Sequence, residues 1–156
     1  MQIKQISNYV IIKEQNKKKL MNEIKKNRKL FTIFIPSTEP LLRFALEKTN
    51  VDAVMGMEKI HPKEHTHYVR SGLDQVLCKI AAAKGKTIVF DFNEISESKN
   101  LGKLLARIRL NIKLCKKYKV KMLFTDLANR VSLQDLTSVV KVVKVKKDNN
   151  VYKNLS

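Results

Sequence analysis

The chain has no tryptophan, and its other aromatics are four tyrosines and six phenylalanines in 156 residues. Most of these sit in strand-like apolar runs. That leaves too few for stacking on single-stranded bases to be the main mode of binding a nucleic acid. Cysteine is equally scarce. Cys78 and Cys115 stand far apart with no CxxC, so no disulfide framework or zinc knuckle is available and both read as reduced thiols. The four glycines are scattered, which excludes a glycine-rich phosphate loop and a GxSxG nucleophile elbow. No apolar run approaches the ~20 residues that span a bilayer. The opening MQIKQISNYV lacks the apolar core of a signal peptide, so a cytoplasmic protein is expected. Acid is also short, with 14 acidic residues against 32 basic ones and a net charge of +18.

The basic excess is concentrated. Residues 1–30 carry nine basic and two acidic side chains, and residues 99–121 carry nine basic and none acidic. Between them, residues 31–98 are almost balanced, with eight basic and nine acidic. Lysine drift in an AT-rich genome would spread the charge evenly. Two basic blocks around a neutral middle point instead to a surface that meets a polyanion.

With 44% apolar residues the chain can bury a single core, and we expect one domain over 1–145 with a flexible basic tail at 146–156. Strand-like runs alternate with amphipathic ones. Tyr9–Ile12, Leu30–Ile35, Val51–Met57, Thr87–Phe92 and Lys121–Phe124 read as strands. Helices are expected over Lys17–Lys26, from Ser37 or Thr38 to about Lys48, from Ser71 to Gly85, from about Ser98 to Tyr118, and from Ser132 to about Val145. In the third of these, Ser71 can cap the N-terminus and Asp74 can answer it, with Leu73, Val76, Leu77 and Ile80 on one apolar face. Gly85 supplies the left-handed stop. The alternation predicts an α/β domain with a mainly parallel sheet.

The long helix before Tyr118 carries the strongest chemical signal. Leu101, Leu104, Leu105, Ile108, Ile112 and Cys115 share one face at helical spacing, and Lys99, Lys103, Arg107, Lys113 and Lys117 fall opposite, with Arg109 and Lys116 at the boundary. No acid relieves this stripe, which at 1.5 Å per residue is roughly 25–30 Å long. Phosphate binding is the preferred reading over a merely solvated face. Arg70, just ahead of the third helix, and Arg130 join it as RNA-contact candidates.

Two other clusters carry less. His61, His65 and His67, with Glu58 and Glu64 nearby, have a spacing that could hold zinc or another divalent metal, but a flexible polar loop is the better reading. Asp91, Glu94 and Asp126 fall at predicted strand ends, where two carboxylates could hold Mg²⁺, but no nucleophile accompanies them. No catalytic or metal-binding residue is therefore assigned.

Several pieces together resemble the family of ribonuclease P protein component 3, the archaeal counterpart of the thirty-kilodalton eukaryotic subunit. They are Val51-Asp52-Ala53-Val54, His61-Pro62, Ser71-Gly72-Leu73-Asp74-Gln75-Val76-Leu77 running into Ile80-Ala81-Ala82, and Phe90-Asp91-Phe92. Arg107, Arg109 and Asn111 ahead of Lys117-Tyr118, and Ser132-Leu133-Gln134-Asp135-Leu136, complete the set. The resemblance runs from about Leu20 to Val140. It implies a TIM-barrel-like fold related to the PHP phosphoesterases, here open or partial because the N-terminus is short by about one βα unit. It also implies a noncatalytic subunit of the ribonucleoprotein that removes 5′ leaders from precursor tRNA. The RNA would be the catalyst, with Mg²⁺, and ribonuclease P protein component 2 the protein partner. A PHP-like metal phosphoesterase and a generic basic RNA-binding domain stand as alternatives.

Overall fold

A computed structural model describes residues 3–5, 8–63, 65–91, 98–125 and 151–153. Strands β1 (Ile3–Gln5) and β2 (Tyr9–Ile12) are followed by α1 (Lys17–Lys26), β3 (Phe31–Phe34), α2 (Glu39–Lys48) and β4 (Ala53–Met55). A 3-10 turn at Met57–Lys59 leads to α3 (Gln75–Ala83), β5 (Thr87–Asp91), α4 (Leu101–Tyr118), β6 (Lys121–Thr125) and β7 (Val151–Lys153). The expected helix from Ser132 lies outside the described residues. Val151–Lys153, within the segment expected to be a flexible tail, form β7.

The sheet runs β1-β7-β6-β5-β4-β3-β2, and every ladder in it is parallel. From β2 to β7 the strands lie side by side in chain order. The edges are β1 and β2, and no ladder joins them among the described residues. The α/β class and the parallel sheet agree with the sequence, and among the described residues the sheet is open, as an open or partial barrel would be.

All four described helices bury their apolar sides in one cluster. Leu20 and Ile24 come from α1, Leu42, Ala45 and Leu46 from α2, Leu77, Cys78 and Ala81 from α3, and Leu104, Ile108, Ile112 and Cys115 from α4. Ile12, Phe34, Val54, Ile88 and Phe90 meet them from the sheet. The alternate strand residues Ile33, Ala53, Met55, Val89 and Leu123 form a second buried cluster. Strands apolar on both faces explain the continuous runs in the sequence.

Local chemistry sets the element ends. Asn16 caps α1 by accepting from the amides of Lys18 and Lys19, Thr38 caps α2, and Asn100 caps α4 through the amide of Lys103. The cap of α3 is Asp74, whose carboxylate accepts from the Leu77 amide at 2.8 Å. Ser71 was the expected cap. It lies upstream instead, and its hydroxyl donates to the Leu73 carbonyl. The helix starts at Gln75; Val76 is 50% exposed, and Leu77, Cys78 and Ala81 form the buried side. Gly85 takes the left-handed conformation expected of it, with φ +66°.

Two polar devices pin the strands. Asp52 accepts from the amide and hydroxyl of Thr32 at 2.8 and 3.0 Å and returns its own amide to the Thr32 hydroxyl at 3.0 Å. The buried Lys86 donates from Nζ to the carbonyls of Thr49 and Val51 at 2.8 and 2.7 Å, tying the exit of α2 to the start of β5. Burial pushes the Lys86 ammonium below its ordinary range, and Asp52 opposes that shift.

Candidate nucleic-acid interface

Gly56 leaves β4 in a left-handed conformation and starts the turn Met57–Lys59. This carries Glu58 into the interior beneath α4, where its residue is 7% exposed. The chain returns to the same place at Gly72. There φ is +89°, and a Cβ would lie 2.1 Å from the Met57 carbonyl oxygen. Only glycine lets the two backbones approach so closely. The loop between these points carries the histidines and Arg70.

Arg107 and Asn111 of α4 meet this double turn. Arg107 is 3% exposed and donates from Nη1 to the Glu58 carbonyl. Asn111 is fully buried, and its Nδ2 donates to Glu58 Oε1 at 3.1 Å and to the Ser71 carbonyl at 2.9 Å. Burial raises the Glu58 carboxyl above its usual range. The hydrogen bonds it accepts and the charges of Lys59 and Arg107 pull it back only in part. This buried polar group locks α4 to the β4 exit and to the entrance of α3. It corrects the expectation that Arg107 belongs to the solvent-facing stripe. The helix has rolled so that its buried side includes Arg107 and Asn111 beside Leu104 and Ile108, because hydrogen bonding to the turn offsets the cost of burying them.

The remaining predicted contacts divide. Lys99, Arg109, Lys113 and Lys117 are exposed on or just before α4, and Lys116 is half-buried. Lys103 is half-buried, and its Nζ donates to the Pro62 carbonyl at 2.7 Å. Arg70 is half-buried too, beside Glu39, His61 and Asp74. Arg130 lies outside the described residues. Lys79, which sequence reasoning did not select, stands with Lys117 over the ring of Tyr118, at 5.9 and 5.4 Å from its centroid. It brings α3 into the basic surface of α4.

The histidines do not converge. His61 lies 3.6 Å from Glu39 Oε2. His65 stacks on Tyr68 with ring centroids 4.0 Å apart, and its Nδ1 accepts from the His67 amide. Among the described residues no three of His, Cys, Asp and Glu gather closely enough to hold a metal ion. Asp91 is buried at the end of β5 and shares with Glu58 a recess of about 20 Å³, room for about one water. Glu64, Glu94 and Asp126 lie outside the described residues. Cys78 and Cys115 are free and buried between α3 and α4. Among the described residues no helix is long and apolar enough to cross a membrane.

No family model matches the chain, and no curated protein does. In shape it is similar to a chain of a solved structure described as the cryo-EM structure of archaeal ribonuclease P with mature tRNA. The TM-score is 0.73 at 22% identity, covering 87% of this chain and 59% of that one. This chain therefore spans about three-fifths of that neighbour's length, and at such identity the likeness speaks for the fold.

Proposed function

We propose that this chain is a protein subunit of ribonuclease P, acting by neutralising phosphates and holding the catalytic RNA in its active shape. The observation that carries the reading is the fold shared with a chain of an archaeal ribonuclease P–tRNA structure over 87% of the length. The motifs from Val51 to Leu136 point the same way. So does the acid-free exposed side of α4 with Lys99, Arg109, Lys113 and Lys117, which suits backbone contact with folded RNA. In this reading the chain holds no catalytic residue, the RNA performs hydrolysis with Mg²⁺, and component 2 is the protein partner in the cytoplasm. The sequential parallel strands and the helices gathered on one apolar cluster support a curled, barrel-like domain of the PHP-related kind.

Co-purification of the full chain followed by sequencing of the bound RNA tests this. Enrichment of one structured RNA that cleaves precursor tRNA at the 5′ leader is the expected result. Recovery of unrelated RNAs in proportion to their abundance would reduce the chain to a generic basic RNA-binding domain.

A further inference from the structure

Tyr68 is anomalous for an exposed loop residue. It is 59% exposed, next to Val69 at 40%, and its ring lies on that of His65 with an interplanar angle of 18°. The loop that carries it is held at several points. Lys103 ties Pro62 to α4, the His67 amide holds His65, and Gly72 seats the far end against Met57. An aromatic pair fixed in this way has lost its freedom before any ligand arrives, which favours binding. Beside it lies an open hollow of about 560 Å³ between the loop and the first turns of α4, lined by His65, Tyr68, Val69, Asn100, Lys103 and Ala106. No acid is among the described residues lining it. Exposed Lys99 directly precedes Asn100, one of the residues lining it. The acids Glu39 and Asp74 line a separate hollow beyond Tyr68, together with His61 and Arg70.

We propose that the His65–Tyr68 pair is a stacking platform for one unpaired base of a single-stranded RNA segment, lying in the hollow against α4 with its phosphates toward Lys99 and Lys103. Charge chooses the occupant, since a flat aromatic surface bordered by cations on a chain of net charge +18 suits a base joined to phosphates. An A-form duplex keeps its bases stacked inside and has no free base face to offer. The site rests on the reading of an RNA-facing protein and adds a local, strand-selective contact to the phosphate-binding surface of α4.

The chain has no tryptophan, so Tyr68→Trp places a single fluorescent reporter at the site. Binding of the full chain and its variants would be measured on a short unstructured oligoribonucleotide and on an RNA duplex of equal charge. Tyr68→Ala should weaken single-strand binding roughly 5- to 150-fold, the range of one base–aromatic stack, and leave the duplex affinity and the thermal melt unchanged. Tyr68→Phe should bind like the parent, and the tryptophan variant should be quenched by the oligomer. Equal loss on both RNAs, no loss on either, or no quenching would overturn the platform and leave the ribonuclease P reading standing. Loss of holoenzyme assembly with RNA affinity intact would assign the loop to a protein partner and overturn it too. A parent chain that binds neither RNA would bring down both readings.

Discussion

Arg107 and Arg109 are two residues apart on the same helix, and the fold treats them oppositely. Arg107 is buried and donates to the Glu58 carbonyl, whereas Arg109 is exposed with Lys113 and Lys117. The buried side of α4 carries this single guanidinium among apolar residues, and the exposed side carries the run of cations. One fastens the helix to the double turn at Met57 and Gly72, and the other faces solvent. A basic helix can therefore hold a structural guanidinium and a polyanion-binding surface together. What separates them is a buried acceptor arriving from elsewhere in the chain.

The contrast breaks most visibly at Arg107. Arg107→Ala should lower stability by ~1–3 kcal/mol in urea unfolding, because it leaves the buried Glu58 carbonyl without the donor it now has. A loss as small as that of a surface substitution would place Arg107 back among the solvent-facing cations. A second test uses pH on the same buried side. The folded Glu58 carboxyl titrates above its ordinary value of 4.5, so the fold favours its protonated form. Its contribution is then fully present below that pH and is lost as pH rises through the folded value. Glu58→Gln should accordingly gain stability relative to the parent between pH 4.5 and neutrality. Parallel melts of the two proteins across that range would check this, and parallel pH curves would contradict the buried carboxyl. The smallest stability effect belongs to the exposed side. Changing Arg109, Lys113 and Lys117 together to Gln should move stability by only ~0.5 kcal/mol. The same change should shallow the salt dependence of RNA binding by roughly 0.7–0.9 log units per lost phosphate contact. An unchanged slope would make that side a solvated face and nothing more.

Much of the described fold was legible in sequence because it rests on local rules. The strand at Thr87–Asp91, the stop at Gly85 and the amphipathic run of α4 follow from apolar spacing and backbone preference alone. The difference at Ser71 has a local cause, since Asp74 competes for the same capping role and wins, which moves the helix start to Gln75. Arg107 was misread for a different reason. Its acceptor is 49 residues away in the chain, and helical periodicity holds no information about a turn folding beneath it. Asn111 was the available clue: a polar residue at the margin of the apolar arc, one helical turn after Arg107, marks a side where buried hydrogen bonding extends the core. The open sheet among the described residues agrees with the open or partial barrel that the resemblance implies.

The exchange between Thr32 and Asp52 has a consequence for how the strands find one another. Strands β3 and β4 are short and apolar on both faces, so sliding one past the other by two residues would bury similar surfaces and cost little in hydrophobic terms. Such a slip would take Asp52 away from the Thr32 amide and hydroxyl that it now meets at 2.8 and 3.0 Å. The pair works as an index mark. Its importance lies in the information it carries, a choice of alignment between two nearly featureless ribbons, and the bond energy is secondary. Everything downstream inherits that choice, including the positions of Gly56 and Glu58 beneath α4.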